Sequence, residues 1–165
     1  HNGEIDTSET IIGSNLQKRA RRRVKKGNVL VSSIEGSIQL VALADSSQNE
    51  HICSTGFYLL KSSKLNSETL YIIMRSIIGQ MQLKKGCNGT ILTSINLDEI
   101  KKIILPSILE KDQKKIKAEI EKLYHYKKTS NRIFNVLKEG LEIAIENNEK
   151  KSMEWIKSEI KKNDV

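Results

Sequence analysis

The sequence is short of the residues that build many reactive centres and stacking clefts. Aromatic side chains make up only 4% of its 165 residues. That scarcity argues against a protein that holds single strands by stacking bases on Phe, Tyr or Trp. The two cysteines, Cys53 and Cys87, stand alone with no CxxC spacing. This argues against a disulfide framework or a zinc site, and a reducing cytoplasm fits. The three histidines, His1, His51 and His125, are far apart in the chain. No GxGxxG, GxxxxGKS or HExxH motif occurs, so none of the corresponding phosphate, dinucleotide or metalloprotease chemistries is indicated. No spacing supports a pairing of either cysteine with a distant histidine as a nucleophile. Glu35, in SSIEGSI, reads as a salt-bridge or hairpin residue rather than a catalytic carboxylate. No run approaches the roughly 20 apolar residues of a membrane span, and no signal peptide is visible. The expectation is therefore no catalytic residue, no metal site, no cofactor and no membrane. The chain opens on His1 rather than Met, which reads as a piece of a longer polypeptide.

Positive charge is what the chain has in excess. Its formal net charge is +8, which favours a polyanionic partner, nucleic acid before membrane. The plain alternative is solubility. The charge is also concentrated. KRARRRVKK, residues 18–26, carries seven cations in nine residues with no acidic neighbour. These are Lys18, Arg19, Arg21, Arg22, Arg23, Lys25 and Lys26. Clustered guanidinium and ammonium groups displace the counterions of phosphates, and arginine can fork onto guanine in the major groove. The alternative is a solvated charge run. As a loop before the first strand, the run would sit at a sheet rim; as a helix, arginines three or four apart would share a face.

Downstream, the apolar residues change period. Val29, Leu30, Val31 and Ile34, bounded by Gly27 and Gly36, read as a buried strand. Residues 38–44 read as a second strand, and 28–44 together as a hairpin turning at Gly36-Ser37. Residues 45–50 are loop-like. Residues 51–61 read as a third strand with a bulge at Gly56. Leu70, Ile73, Met74, Ile77 and Ile78 space as one helix over 67–83, capped by Ser67. A glycine-punctuated loop over 84–95 enters a short strand. Asn96 caps a short helix over 96–103, and 103–106 reads as a last strand ending at Pro106, the only proline.

From Ser107 the composition turns to Lys and Glu. Ile116, Ile120 and Leu123, then Phe134, Leu137 and Leu141, step by threes and fours. This predicts a long helix with one coiled-coil seam made by those six residues. A lone amphipathic rod cannot bury its own stripe. A partner helix is implied, elsewhere in the polypeptide or in another chain, a homodimer included. Met153, Ile156 and Ile160 predict a final short helix or a frayed end.

A second set of candidates lies at strand ends: Ser33, Ser37, Asn88, Thr90 and Thr93. Small hydroxyl and amide residues there can reach phosphates or base edges, while ordinary turn chemistry is the competing reading.

The order of these pieces resembles the specificity subunits of type I restriction enzymes. It looks equally like the matching C-terminal modules of fused restriction-methyltransferase polypeptides. The matching residues are Gly27-Asn28, Gly36, Thr55-Gly56-Phe57, Leu70-Tyr71, Gly89-Thr90, Leu97 to Ile100, Pro106, and Gln113 to Ile116. Two positions depart from the family pattern. Asn28 stands where Asp is usual, and Pro106 alone remains of a Pro-x-Pro run. The resemblance implies a target-recognition domain that reads half of a split site in double-stranded DNA. It also implies a spacer helix, and DNA methyltransferase and restriction subunits or domains as partners. Catalysis would lie elsewhere. The expected organisation is a polar and basic segment at 1–24, a recognition domain at 25–106, a spacer helix at 107–147 and a helix or tail at 148–165. The expected class is α/β (α+β), a small mixed sheet with short helices followed by a long coiled-coil-type helix. The rival reading is a coiled-coil adaptor whose globular head binds protein, not DNA.

Overall fold

A computed structural model of the protein describes residues 5, 15, 18–89 and 93–162. By its internal contacts the chain separates into two units, His1–Lys117 and Ala118–Val165.

The first unit is built on β2, Val29–Ser32, whose four residues are all buried. It lies at the centre of a three-stranded antiparallel sheet, between β3 (Val41–Leu43) and β5 (Phe57–Leu60). Side chains alternate across a strand, so β2 feeds two apolar layers. Val29 and Val31 are fully buried, and helix α1 (Ser67–Arg75) packs on β2 and β3. Leu30 belongs to a separate cluster with Val24 and Ala44, closed by Cys53, Phe57 and Leu59. That second layer lies beneath a two-stranded antiparallel ribbon, β1 (Ala20–Arg23) with β4 (Ile52–Ser54). A third small sheet pairs β6 (Cys87–Asn88) with β7 (Ser94–Ile95). The α+β expectation holds, with the strands in three small antiparallel sheets.

Several local expectations are corrected. The span 38–44 is strand only at Val41–Leu43, because a 3-10 turn at Glu35–Ser37 occupies the connection. Gly56 is not a bulge inside one strand. Thr55-Gly56 is a turn that hands the chain from β4 in one sheet to β5 in another. The helix over 67–83 is two helices, α1 and α2 (Ile77–Lys85), and the cap of α1 is Asn66 rather than Ser67. Ser76 breaks them apart. It adopts an extended conformation, and its side chain accepts from the Gly79 N–H. The close approach of α2 to α1 requires Gly79, since a Cβ there would stand 2.2 Å from the Ile73 carbonyl oxygen. Residues 103–106 are not a strand. The Gln82 side chain takes the place of a neighbouring strand, accepting from Ile104 N at 2.8 Å and donating to Ile104 O at 3.0 Å. The short helix α3 (Leu97–Lys101) forms as its sequence predicts, with Asn96 accepting from Asp98 N and Glu99 N.

Helix α4, Glu110–Glu146, has 37 residues, about 55 Å at 1.5 Å per residue. Its first two turns belong to the first unit and are fixed there by Gln113. The Gln113 side chain accepts from Asn66 N at 2.8 Å and donates to Lys64 O at 3.1 Å and Ile108 O at 3.0 Å. Its carbonyl accepts from Asn66 Nδ2 at 3.0 Å. The residue that caps α1 is thus the one that holds the start of α4.

In the second unit, the rest of α4 is joined by α5 (Glu149–Lys161), capped by Asn148. Ser152 is buried and donates to Gly140 O at 2.6 Å. A Cβ at Gly140 would stand 2.4 Å from the Ile156 side chain. The two helices therefore meet at backbone distance along this line, the packing that small residues permit. Among the described residues no helix is long and apolar enough to cross a membrane.

The break between α1 and α2 makes a stability prediction. Gly79→Ala should destabilise the protein by about 1–3 kcal/mol, as overpacking does. Gly36→Ala, where an added Cβ meets nothing within 4 Å, should change stability by less than about 0.5 kcal/mol. Urea unfolding midpoints of the two variants check this.

Candidate nucleic-acid interface and helix-pairing surface

The arginine run is neither a loop nor a helix at its centre. Ala20–Arg23 is extended and hydrogen-bonded to β4, with Arg22 opposite Cys53 and Arg23 opposite Ile52. Strand periodicity then separates side chains that are adjacent in sequence. Arg22 turns inward. Its guanidinium lies 4.8 Å over the Tyr58 ring and donates to the Phe57 carbonyl. Arg21 and Arg23 are exposed on the other side of the strand. The pairing slips between Ala20 and Arg22, placing Arg21 at a bulge, a device that re-aims a side chain. Arg21 Nε donates to Lys18 O at 2.7 Å. That bond steadies the side chain and leaves the far edge of the guanidinium toward solvent. Arg23 is in an ion pair with Glu50 at 2.7 Å.

The flanking cations are exposed too: Lys18 and Arg19 on the entering turn, Lys25 and Lys26 on the leaving one. The leaving turn is held by its backbone. Lys25 N donates to Asn28 Oδ1 at 2.8 Å, and Lys26 N donates to Asn49 Oδ1 at 3.0 Å. Those side chains are thus presented from an ordered turn. Among the described residues, no carboxylate pairs with Lys18, Arg19, Lys25 or Lys26.

The strand-end candidates do not gather at this surface. The Ser33 hydroxyl donates to Gly56 O at 2.9 Å, and its carbonyl accepts from Ile95 N at 2.8 Å. It pins the ends of β2, β5 and β7 together. The Ser37 hydroxyl shares a 2.7 Å hydrogen bond with Ser32. Thr93 is half-buried, and its carbonyl accepts from Glu35 N at 2.9 Å. Asn88 is exposed, donating to Gly86 O at 3.1 Å. Thr90 lies outside the described residues.

Two residues at this surface escaped the sequence reading, Tyr58, which holds Arg22, and Glu50, which holds Arg23; the anchoring role of Gln113 escaped it too. Only Gln113 carried a signal, as the first residue of the Gln-Lys-Lys-Ile motif. The two cysteines are half-buried. Burial pushes the Cys53 thiol up, with the Arg22 charge opposing it more weakly. Burial pushes the Cys87 thiol up as well, and Glu35 adds to the effect. Raised thiols stay protonated, the opposite of what a nucleophile needs. Among the described residues no group of His, Cys, Asp and Glu is placed to hold a metal ion.

The second surface is on α4. Of the six seam candidates, Ile120 is buried and Ile116 half-buried. Leu123, Phe134, Leu137 and Leu141 are 50% to 69% exposed. The line that α5 covers runs through Gly140 instead. The predicted seam is therefore distinct from the line that α5 occupies, and most of it is open.

No family model matches the sequence, and no curated protein matches it. Solved structures do. The HsdS subunit from Thermoanaerobacter tengcongensis superposes with a TM-score of 0.61 at 22% identity, over 86% of this chain and 37% of that one. A chain from work on complex assembly and conformational transition of the type I R-M system gives 0.62 at 23% identity, over 87% and 36%. The fold is similar to that of HsdS. The chain spans a little over a third of the length of each of these two proteins.

The inward and outward arginines should behave differently when removed. Arg22→Ala should cost roughly 1–2 kcal/mol, because the Tyr58 face loses its cation and the Phe57 carbonyl its donor. Arg21→Ala and Arg23→Ala should each stay within about 0.5 kcal/mol of the parent, as exposed substitutions do. Chemical denaturation of the three variants distinguishes them.

Proposed function

We propose that the chain is a target-recognition module of a type I restriction-modification specificity protein, and that it binds double-stranded DNA through the β1–β4 ribbon. The observation that carries this reading is the outward pair Arg21 and Arg23, flanked by Lys18, Arg19, Lys25 and Lys26 on ordered backbone. A two-stranded ribbon is narrow enough for the major groove. Arginines on its outer face can take phosphates or reach guanine edges, while lysines on the flanking turns take phosphates. The fold shared with HsdS supports the reading, as does the order of motifs from Gly27 to Ile116. Ser33 and Ser37, committed to the fold, act here as supports; Asn88 and Thr93 are weaker candidates for contact, and Thr90 stays a candidate from sequence. The remaining parts follow the same proposal. A recognition domain covers about 25–106, a spacer helix about 107–147, and the final helix the rest. The module has no catalytic role of its own and works in the cytoplasm with DNA methyltransferase and restriction subunits or domains. A helix of about 55 Å is long enough to set a separation of about one and a half duplex turns of about 34 Å.

The open stripe on α4 is the seat of a partner helix. An adaptor that binds only protein would also use this stripe, but it has no use for six exposed cations on and beside one ribbon.

Two measurements test the reading. In a titration with mixed-sequence duplex, log affinity should fall linearly with log salt. Replacing both Arg21 and Arg23 with Gln should flatten the slope by up to about 1.8, at about 0.9 for each phosphate no longer neutralised. A salt-independent affinity contradicts the DNA claim. Separately, Leu137→Lys with Leu141→Lys should abolish helix-mediated association in sedimentation experiments, because a charge at a seam position opposes pairing. That pair should leave the salt slope on DNA unchanged.

A further inference from the structure

We infer that Glu50 is a built-in competitor for DNA at Arg23, an anionic gate on the binding surface; this rests on the DNA-binding reading above. The loop that carries it is laid against the basic run by backbone bonds on both sides. Gly27 N donates to Ala44 O at 2.8 Å, and Val24 N donates to His51 O at 2.7 Å. Glu50 N donates to Val24 O at 2.8 Å. Between these bonds Glu50 adopts φ of 68°, the only non-glycine residue at positive φ among those described. A side chain there is disfavoured unless its surroundings impose the conformation. The surroundings do impose it here, and the result brings one carboxylate to the run at a fixed place. Among the described residues, Glu50 is the carboxylate that an ion pair joins to the seven cations, 2.7 Å from Arg23 Nη1.

The pair is built to be displaced. The two side chains are 65% and 50% exposed, and exposed ion pairs are weak. A DNA phosphate brings the same charge and releases condensed counterions as it binds. It therefore wins Arg23 from Glu50, and the freed carboxylate then repels the backbone it faces. Both effects weaken binding to every sequence by a similar factor. A factor common to every sequence leaves the ratio of specific to non-specific affinity unchanged, so the gate sets the absolute strength of binding and shortens residence on DNA of any sequence. Arg21 has no carboxylate partner among the described residues and is outside the gate.

The test is a fluorescence-anisotropy titration of the full chain with a mixed-sequence duplex at several salt concentrations. Glu50→Gln should bind about threefold to tenfold tighter at low salt, with a salt slope steeper by up to about 0.9, because no carboxylate then offsets one of the cations at the surface. Glu50→Gly should do the same, because glycine accepts the positive φ, which guards against a folding effect of one variant. The gain should vanish in an Arg23→Gln background. Asp45→Asn removes a carboxylate from the same loop and keeps the Oδ1 that accepts from Ser47 N at 2.6 Å; it should change the slope by much less. Parent binding with no gain in either Glu50 variant overturns the gate and leaves the DNA reading standing. An equal gain from Asp45→Asn also overturns it, as does weaker binding by Glu50→Gln, which would make Glu50 a direct acceptor from cytosine. No binding by the parent and by every variant overturns both.

Discussion

The pairing of Ala20–Arg23 with β4 is the constraint on which the proposed recognition surface depends. As a free segment the run would be a cloud of seven cations, able to meet any anion in any orientation. In a strand, adjacent side chains point to opposite faces. One arginine is turned to the interior, where Tyr58 and the Phe57 carbonyl satisfy it. Its neighbours are thereby fixed outward with a known spacing. The ribbon in turn sits on the Val24–Leu30–Ala44 layer, so the buried side of β2 and the charged face of β1 are linked through a few packed side chains. A positive surface that is rigid loses less entropy on binding than a flexible one, and it can read geometry as well as charge.

A comparable constraint governs the start of α4. Gln113 satisfies the backbone of the segment before α1 and the segment before α4 at once. A residue with both a donor and an acceptor on one planar group is needed for that. Replacing it would leave buried backbone groups without partners. Further along, small residues let α5 approach α4 at Gly140 and Ser152. The larger apolar residues of α4 stay on another line. The helix thus keeps an open stripe even after gaining a neighbour in its own chain.

Much of this was legible in the residues. The buried β2, the Asn96 cap, the long helix and the terminal helix follow from local patterns that tertiary contacts do not override. The break at Ser76 was hidden because Leu70, Ile73, Met74, Ile77 and Ile78 keep helical spacing straight across it. Only Ser76 followed by Gly79 marked a new cap. Residues 103–106 looked like a strand because they are apolar and the residue before a proline favours extended backbone, and the Gln82 side chain that replaces the partner strand lies more than twenty residues away. The division of the arginine run had no signature, since a run of like charges carries no period. It depended on β4, which the sequence placed in one long strand with β5. Glu50 was invisible for a related reason: its role comes from a backbone angle, which composition does not report.

The central claim is that Arg21 and Arg23 face duplex DNA while Arg22 does not. The most direct measurement follows the three arginine side-chain Nε–H resonances by NMR as duplex is added. The account predicts that the Arg21 and Arg23 signals move together with those of the Lys25 and Lys26 backbone, and that Arg22 stays in place. Movement of Arg22 alone, or no movement of any of the three at saturating duplex, would contradict it.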